Sequence, residues 1–381
     1  MRILFSSLAA HGHLYPTLPL AIAARQQGHE VLFVTDRQFA PIFEQHDIAF
    51  AQGGIGIRQA FLDLQGNPDT LEPKEVPHDV IARVFGSIIP RRFIDDLRPI
   101  LADWKPDLVV RGIANLGAGF AAELAGVPAL SHGFGRMWSP DVAESLWQDN
   151  VTALAAEIGL GVEPDHAMLL GNTYVDVCPP SFQDKEFLAS DVRRVPLRPV
   201  PFAEPGELPD WVVAHDRPLV YLTLGTAFAA EGVLRTAIEG LARLDARVLV
   251  ASGPTVDPAS LGALPAGVEV RQWVPQADLL PYTDLVVHHG GSGTTLGAFS
   301  AGVPQLIVPQ GADQFNNAEH VTAGGLGDRL LGEAVTAETV ADRAGALLAD
   351  TVIRDAARLI AAEITSLPAP ADVARALPDL I

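Results

Sequence analysis

Residues 284–301, Asp-Leu-Val-Val-His-His-Gly-Gly-Ser-Gly-Thr-Thr-Leu-Gly-Ala-Phe-Ser-Ala, constrain the chain more than any other stretch. The run that ends at Val287 is apolar and β-branched and reads as a buried strand. It breaks at His288-His289-Gly290-Gly291 and offers Ser292, Gly293, Thr294 and Thr295. A helix-like segment then runs from Leu296 to Ala301. Strand, glycine turn and helix start together make an anion site. Glycines let the backbone approach closely, and the free N–H groups of a helix N-terminus point at the ligand. A histidine in the turn adds a donor. There is no Gly-Lys-Ser/Thr, and the glycine spacing is not Gly-x-Gly-x-x-Gly, so neither a Walker loop nor that dinucleotide fingerprint applies. A tight βα turn that binds nothing would carry the same local pattern.

The rest of the chain alternates strands and helices in two series. Arg2 to Ser6 reads as a strand, Ser7 to Gly12 as a loop of small residues, His13 to Gly28 as a helix and His29 to Thr35 as the next strand. Pro16 suits the first turn of that helix and Gly28 its stop. Further strands follow at 106–110, 127–131 and 174–178, the last read as closing the first series, with a helix at 91–104. From Phe50 to about Pro90 the glycines and prolines suggest long irregular loops. Arg193 to Pro209 is the most proline-dense part of the chain and reads as a stiff extended connector. The second series has strands at 218–224, 247–251, 268–271, 285–288 and 303–309, and a late helix at 352–364. This order predicts an α/β chain of two doubly wound, Rossmann-like domains with parallel sheets. The expected division is 1–192, a proline-rich linker 193–216, a second domain 217–365 and a tail 366–381.

Around the glycine turn lie Arg271-Gln-Trp-Val-Pro-Gln276 upstream and Gly302-Val-Pro304 and Asp313-Gln-Phe-Asn-Asn317 downstream. Trp-x-Pro-Gln, His-Gly-Gly-x-Gly-Thr, Gly-x-Pro and Asp-Gln-x-x-Asn in this order resemble the donor signature of the nucleotide-sugar glycosyltransferases of two-domain GT-B architecture. The match is to the bacterial branch that decorates natural products with deoxysugars. Gly12-His13-Leu14-x-Pro16 after the first strand resembles the amino-terminal motif of the same family. The resemblance implies two domains facing a cleft. The first takes a hydrophobic aglycone and the second a nucleotide-sugar.

It also implies roles. Trp273, with the backbone near Val274 and Gln276, would hold the base. His289, the N–H groups of Gly291, Ser292, Gly293 and Thr294, and Thr226 opposite would hold the diphosphate without metal. Asp313 and Gln314 would hold the sugar hydroxyls. His13 would be the catalytic base, although by position alone a capping or merely exposed histidine fits as well. A helix dipole at His13 would disfavour the imidazolium. Phe134, Met137, Trp138 and Trp147 are candidates for an aglycone wall and equally for ordinary core. The segment 50–90 would contribute to the same pocket.

Two positions depart from the family. Many relatives carry an aspartate after the strand at 108–110 to orient the histidine; here the position is Gly112, so either another acid such as Asp141 or Glu144 substitutes, or the acceptor is already fairly acidic. Relatives that use uridine donors often carry a glutamate at Gly297 for the ribose hydroxyls. A thymidine diphosphate (TDP) donor lacks the 2′-hydroxyl, so a TDP-deoxysugar is the expected donor in preference to UDP-sugar. The expected reaction is inverting, needs no cofactor or metal, and moves the sugar to the aglycone. Two alternatives stay open: a nucleotide-sugar epimerase of the same architecture, and a donor-binding auxiliary protein that has lost catalysis, which Gly112 keeps in view.

Composition narrows the partners. A formal charge of −20 argues against nucleic acid, whose phosphates demand clustered Lys and Arg. No apolar run is long enough for a membrane span. Met1 to Ser7 reads as a strand and not as a signal peptide. Cys178 is the single cysteine, so there is no intrachain disulfide and no cysteine metal cluster. A soluble cytoplasmic protein, acting on small molecules and with a homodimer as one assembly state, is the expectation.

Overall fold

The computed structural model describes residues 1–65, 77–138, 140–161, 168–202, 204, 206–227 and 230–381, without the side chains of residues 65 and 140–147. The chain forms two units, Met1–Arg198 with Leu367–Ile381, and Pro199–Ser366.

The first unit is built on seven parallel strands: β1 Arg2–Ser6, β2 Glu30–Thr35, β3 Ala49–Gln52, β4 Leu108–Gly112, β5 Ala129–His132, β6 Thr173–Asp176 and β7 Arg194–Pro196. Their order across the sheet is β3-β2-β1-β4-β5-β6-β7. The central strands are apolar because helices cover both faces; Ile3, Leu4, Phe5, Leu108, Val109 and Val110 are all buried. The sheet grows outward from β1 in one direction and then from β4 in the other. Ile3 pairs with Leu108 and Ser6 with Arg111. The gap beyond the carboxyl ends of β1 and β4 is therefore the topological switch point, where doubly wound sheets bind ligands.

The second unit has six parallel strands: β8 Leu219–Thr223, β9 Arg247–Ala251, β10 Val268–Arg271, β11 Leu285–His288, β12 Gln305–Ile307 and β13 Gly327–Arg329. Their order is β10-β9-β8-β11-β12-β13. Its switch point lies between β8 and β11, where Leu285 pairs with Val220 and His288 with Thr223. The glycine turn that opens the sequence argument leaves the sheet there.

The structure differs from the sequence expectation in four places. Thr173–Asp176 does not close the first sheet. The proline-dense stretch adds β7 beyond it, which an edge position permits despite Pro196. The segment after Phe50 is not mainly loop: β3 and the helices Ile57–Gln65 and His78–Arg83 occupy it, while residues 66–76 lie outside those described. The helix Thr351–Ser366 stays in the second unit, whereas the family resemblance implies that the last helix, expected at 352–364, crosses back to the first. The return to the first is made by the later helix Pro370–Ala376, which packs on Leu18–Gln26, and Arg198 holds the backbone carbonyls of Leu367 and Pro368. The segment 13–28 is not one helix but His11–Leu14, a 3₁₀ turn Tyr15–Thr17 and the helix Leu18–Gln26.

Candidate active site

In the second unit the site is built from the end of β11. The two histidines there do different things. His288 is fully buried, and its Nδ1 accepts the Gly290 N–H at 3.1 Å, so the ring proton sits on Nε2 and is donated to Gln305 Oε1 at 2.8 Å. Gln305 Nε2 in turn donates to the Thr295 carbonyl at 3.3 Å. This network ties β11, β12 and the following helix together. Burial drives the His288 pKa down to about 3.

His289 turns the other way. Its Nε2 lies 2.5 Å from where a Cβ would stand at Gly225 and 2.4 Å from the corresponding point at Gly291, so neither position tolerates a side chain. Gly225 and Gly290 also need left-handed backbone, at φ +81° and +90°. Burial lowers the His289 pKa to about 4, opposed by the Thr223 backbone. The ring is neutral near pH 7.

The helix Ser292–Ala301 starts with Gly291 as N-cap and no side-chain cap. The first backbone N–H to find an intrahelical acceptor is that of Thr295, on the Gly291 carbonyl at 3.0 Å. The N–H groups of Ser292, Gly293 and Thr294 are the unsatisfied donors of the first turn. Gly293 is exposed, and a Cβ there would meet nothing within 4 Å, so a ligand has open access to them. Thr226 is half-buried and follows the glycine turn at the end of β8, the strand beside β11.

Asp313 and Gln314 come to the same place with their hydrogen bonds largely committed. Asp313 Oδ2 accepts Ser292 Oγ at 2.8 Å and Asn317 Nδ2 at 3.2 Å, and burial raises its pKa against those bonds. Gln314 Oε1 accepts the N–H groups of Gln310 and Gly311 at 2.7 and 3.0 Å, which leaves its Nε2 as the donor. Ala312 sits between them and the turn at φ +53°, a strained conformation for alanine. Trp273 keeps 39% of its surface exposed beside the buried Val274. Gln276 Oε1 accepts Thr294 Oγ1 at 3.2 Å. Gly297 is buried; a Cβ added to it would meet Leu280, Gln276 Nε2 and Pro201 at 3.0, 3.4 and 3.7 Å.

In the first unit His13 lies just beyond β1, half-buried, with its ring edge-on to Phe134 at 4.9 Å between centroids. Its pKa falls to about 4, and the cause is burial. The helix that holds it has only four residues, so desolvation and not a helix dipole sets its charge state. Among the described residues the ring has no hydrogen-bond or ion-pair partner. Gly112 ends β4 in register with His132, and a Cβ there would stand 3.4 Å from Ser7 Oγ. His132 is itself buried, with Nδ1 on the Gly133 carbonyl at 2.6 Å and a pKa lowered to about 4. Asp141, Glu144 and Trp147 lie outside the described side chains. Phe134, Met137 and Trp138 are partly buried against the core cluster of Ile113, Phe120 and Tyr174. Their loop is pinned by the near-buried Arg136–Asp184 ion pair at 2.7 Å and by Gln183 Oε1 on the Met137 N–H at 2.8 Å.

Sequence reasoning did not single out Gln305, Asn317 or Arg136. Asn317 was within reach, as the last residue of Asp-Gln-x-x-Asn; its Nδ2 donates to the Gly290 carbonyl at 2.8 Å and so holds the turn. Gln305 and Arg136 act on partners 17 and 48 residues away, for which no local pattern exists.

Two parallel α/β units, the second with a helix N-terminus and a histidine converging at its switch point, have the architecture of GT-B glycosyltransferases, and the protein is a glycosyltransferase. The erythromycin biosynthesis protein CIII-like family matches it in both halves, the N-terminal domain over residues 76–225 and the C-terminal domain over 235–380, and the chain belongs to that family. It is 34% identical to the L-demethylnoviosyl transferase of Streptomyces niveus, over 99% of this chain and 97% of that protein. It is also 34% identical to the elloramycin glycosyltransferase ElmGT of Streptomyces olivaceus, again over 99% and 97%. Among solved structures it is similar to the Streptomyces sp. SF2575 glycosyltransferase SsfS6 complexed with thymidine diphosphate, at TM-score 0.80 and 29% identity over 100% of this chain and 99% of that one. The calicheamicin glycosyltransferase CalG4 matches at TM-score 0.82 and 26% identity, over 100% and 98%. No helix among the described residues is long and apolar enough to cross a membrane.

Proposed function

We propose that this glycosyltransferase moves a deoxysugar from TDP to a hydrophobic natural-product aglycone, with inversion and without a metal ion. The observation that carries the reading is what stands at the two switch points: in one a neutral histidine with no hydrogen-bond partner among the described residues, and in the other a helix N-terminus with a second histidine.

His13 takes the proton of an acceptor hydroxyl. The oxygen attacks the anomeric carbon from the face opposite the diphosphate. The bond from that carbon to the diphosphate oxygen breaks, its electron pair leaves with TDP, and the configuration inverts. Negative charge grows on the leaving oxygens, where the N–H groups of Gly291 to Thr294, His289 and Thr226 donate, and preorganised donors of this kind stabilise such a transition state. An anion beside His289 also raises its pKa, which strengthens it as a donor. The Gln314 amide nitrogen and Asp313 hold the sugar, Trp273 stacks on the base beside Val274, and Phe134, Met137 and Trp138 line the aglycone side. Gly297, which offers no carboxylate for a 2′-hydroxyl, supports a thymidine donor. A relative named for TDP-daunosamine and relatives named for elloramycin and aclacinomycin support the sugar and acceptor classes.

The test is incubation with a TDP-deoxysugar and a panel of phenolic and macrolide aglycones, with and without chelator, read by mass and by the anomeric proton coupling. A mass gain on an aglycone, inverted configuration and indifference to chelator are expected. A changed sugar without aglycone gain, binding alone, retention, or loss of activity in chelator would overturn the reading.

A further inference from the structure

Two hydroxyls, one from β8 and one from the helix Ser292–Ala301, meet on the side chain of Gln276. The Gly225 N–H, which can only donate, is held by Thr223 Oγ1 at 3.2 Å. Tyr221, two residues before Thr223, lies on the same face of the strand. Tyr221 Oη donates to Gln276 Oε1 at 3.4 Å, and Thr294 Oγ1 donates to the same oxygen at 3.2 Å from the helix side. With its oxygen engaged twice, the amide has one orientation. Its Nε2 lies 3.4 Å from where a Cβ would stand at Gly297, beside the apolar side chains of Leu280 and Pro201, and has no hydrogen-bond partner among the described residues.

We propose that Tyr221 is a positioning residue: its hydroxyl, together with that of Thr294, fixes the Gln276 amide so that its nitrogen donates to an acceptor oxygen of the donor nucleoside. This rests on the nucleotide-sugar reading above. Tyr221 touches no ligand. It is buried in the sheet, and its hydroxyl acts only through Gln276. Without it the amide can rotate by half a turn and present an oxygen to an oxygen, which repels.

The experiment is calorimetry of TDP binding to wild type, Tyr221→Phe, Thr294→Val, Gln276→Ala, Gln276→Glu and the double variant Tyr221→Phe/Gln276→Ala. Loss of one such hydrogen bond weakens binding roughly 3- to 10-fold, so Tyr221→Phe and Thr294→Val should each fall in that range. In the Gln276→Ala background, Tyr221→Phe should cost nothing further, since its effect runs through the amide. Gln276→Glu should bind poorly at pH 8, where the carboxylate cannot donate, and recover as the pH falls and the carboxyl gains a proton. A purely structural role for Tyr221 would give the same loss in both backgrounds and no pH recovery, and that result overturns the proposal. So does wild-type affinity in both Tyr221→Phe and Thr294→Val. Wild-type protein that binds no TDP overturns instead the nucleotide-sugar reading on which the proposal stands.

Discussion

The two switch points share a topology and differ in how they hold a histidine. In the second unit His288 is locked on both ring nitrogens, and the neighbouring turn is held further by Asn317, Gln305 and Asp313. In the first, His13 meets an aromatic edge and no polar partner among the described residues. A dense polar network fixes backbone donors in place, which suits the binding of a charged group that must not shift. A ring without hydrogen bonds keeps a lone pair for a proton, which suits a base. Burial makes both His289 and His13 neutral, yet in the proposed mechanism one donates and the other accepts. On the proposed function, the same fold separates binding from proton transfer by what surrounds the strand ends and not by the strands.

The largest expected effect breaks the comparison if it fails. His13→Ala should cut transfer to an alcohol acceptor by roughly 10²- to 10⁴-fold, the usual worth of a general base. TDP affinity by calorimetry should not move. With a phenol acceptor near pH 9, already partly ionised, the loss should shrink. If His13→Ala weakens TDP binding as much as it slows transfer, the division of labour is wrong. If activity survives with every acceptor, an acid such as Asp141 carries the proton.

Much of this was legible in the sequence. β1, β9 and β11 were read to the residue, because apolar runs bounded by turn residues leave little choice, and β10 by the alternation of Val268-Glu-Val-Arg271. The strands that were missed are edges. β3 is half-exposed Ala-Phe-Ala-Gln, β13 is Gly-Asp-Arg, and β7 hides among prolines; none needs a two-faced apolar run. The donor motif named the residues that converge at β11. It could not show that Asp313 and Gln314 first serve the loop, since their partners become visible only when the chain is folded. The four-residue helix under His13 was equally hidden. Proline at position 16 is compatible with one continuous helix, and the break into three pieces is a matter of packing.

A second variant sharpens the comparison from the other side. His289→Ala removes one donor from the growing charge on the diphosphate and should cost about 2–4 kcal/mol in transfer, the range for a single oxyanion donor. Unlike His13→Ala it should also weaken TDP binding. The loss should be insensitive to acceptor acidity, because His289 plays no part in proton removal. Wild-type turnover in this variant would make the glycine turn purely structural.

The smallest effect concerns what sets the His13 pKa. Desolvation alone lowers it from 6.5 to about 4, and the Phe134 ring is part of what keeps water off. The acid limb of kcat/KM should therefore lie near pH 4 in wild type, well below an unperturbed histidine. Phe134→Ala admits water, so the limb should move up toward 6.5 while the rate at pH 8, where the ring is neutral in both proteins, changes only by the lost contact with the acceptor. The stability signature runs with it. A histidine whose folded pKa is depressed contributes stability above its unfolded pKa of 6.5 and loses it as the pH falls toward 4, because the unfolded chain takes up the proton first. Phe134→Ala should weaken the part of the acid-induced fall in melting temperature that belongs to His13. His132, His288 and His289 are depressed too, so most of that fall should remain. An acid limb unmoved by Phe134→Ala would mean that some group other than this aromatic edge keeps His13 dry. The contrast between a histidine held by hydrogen bonds and one held by exclusion of water would then lose its second half.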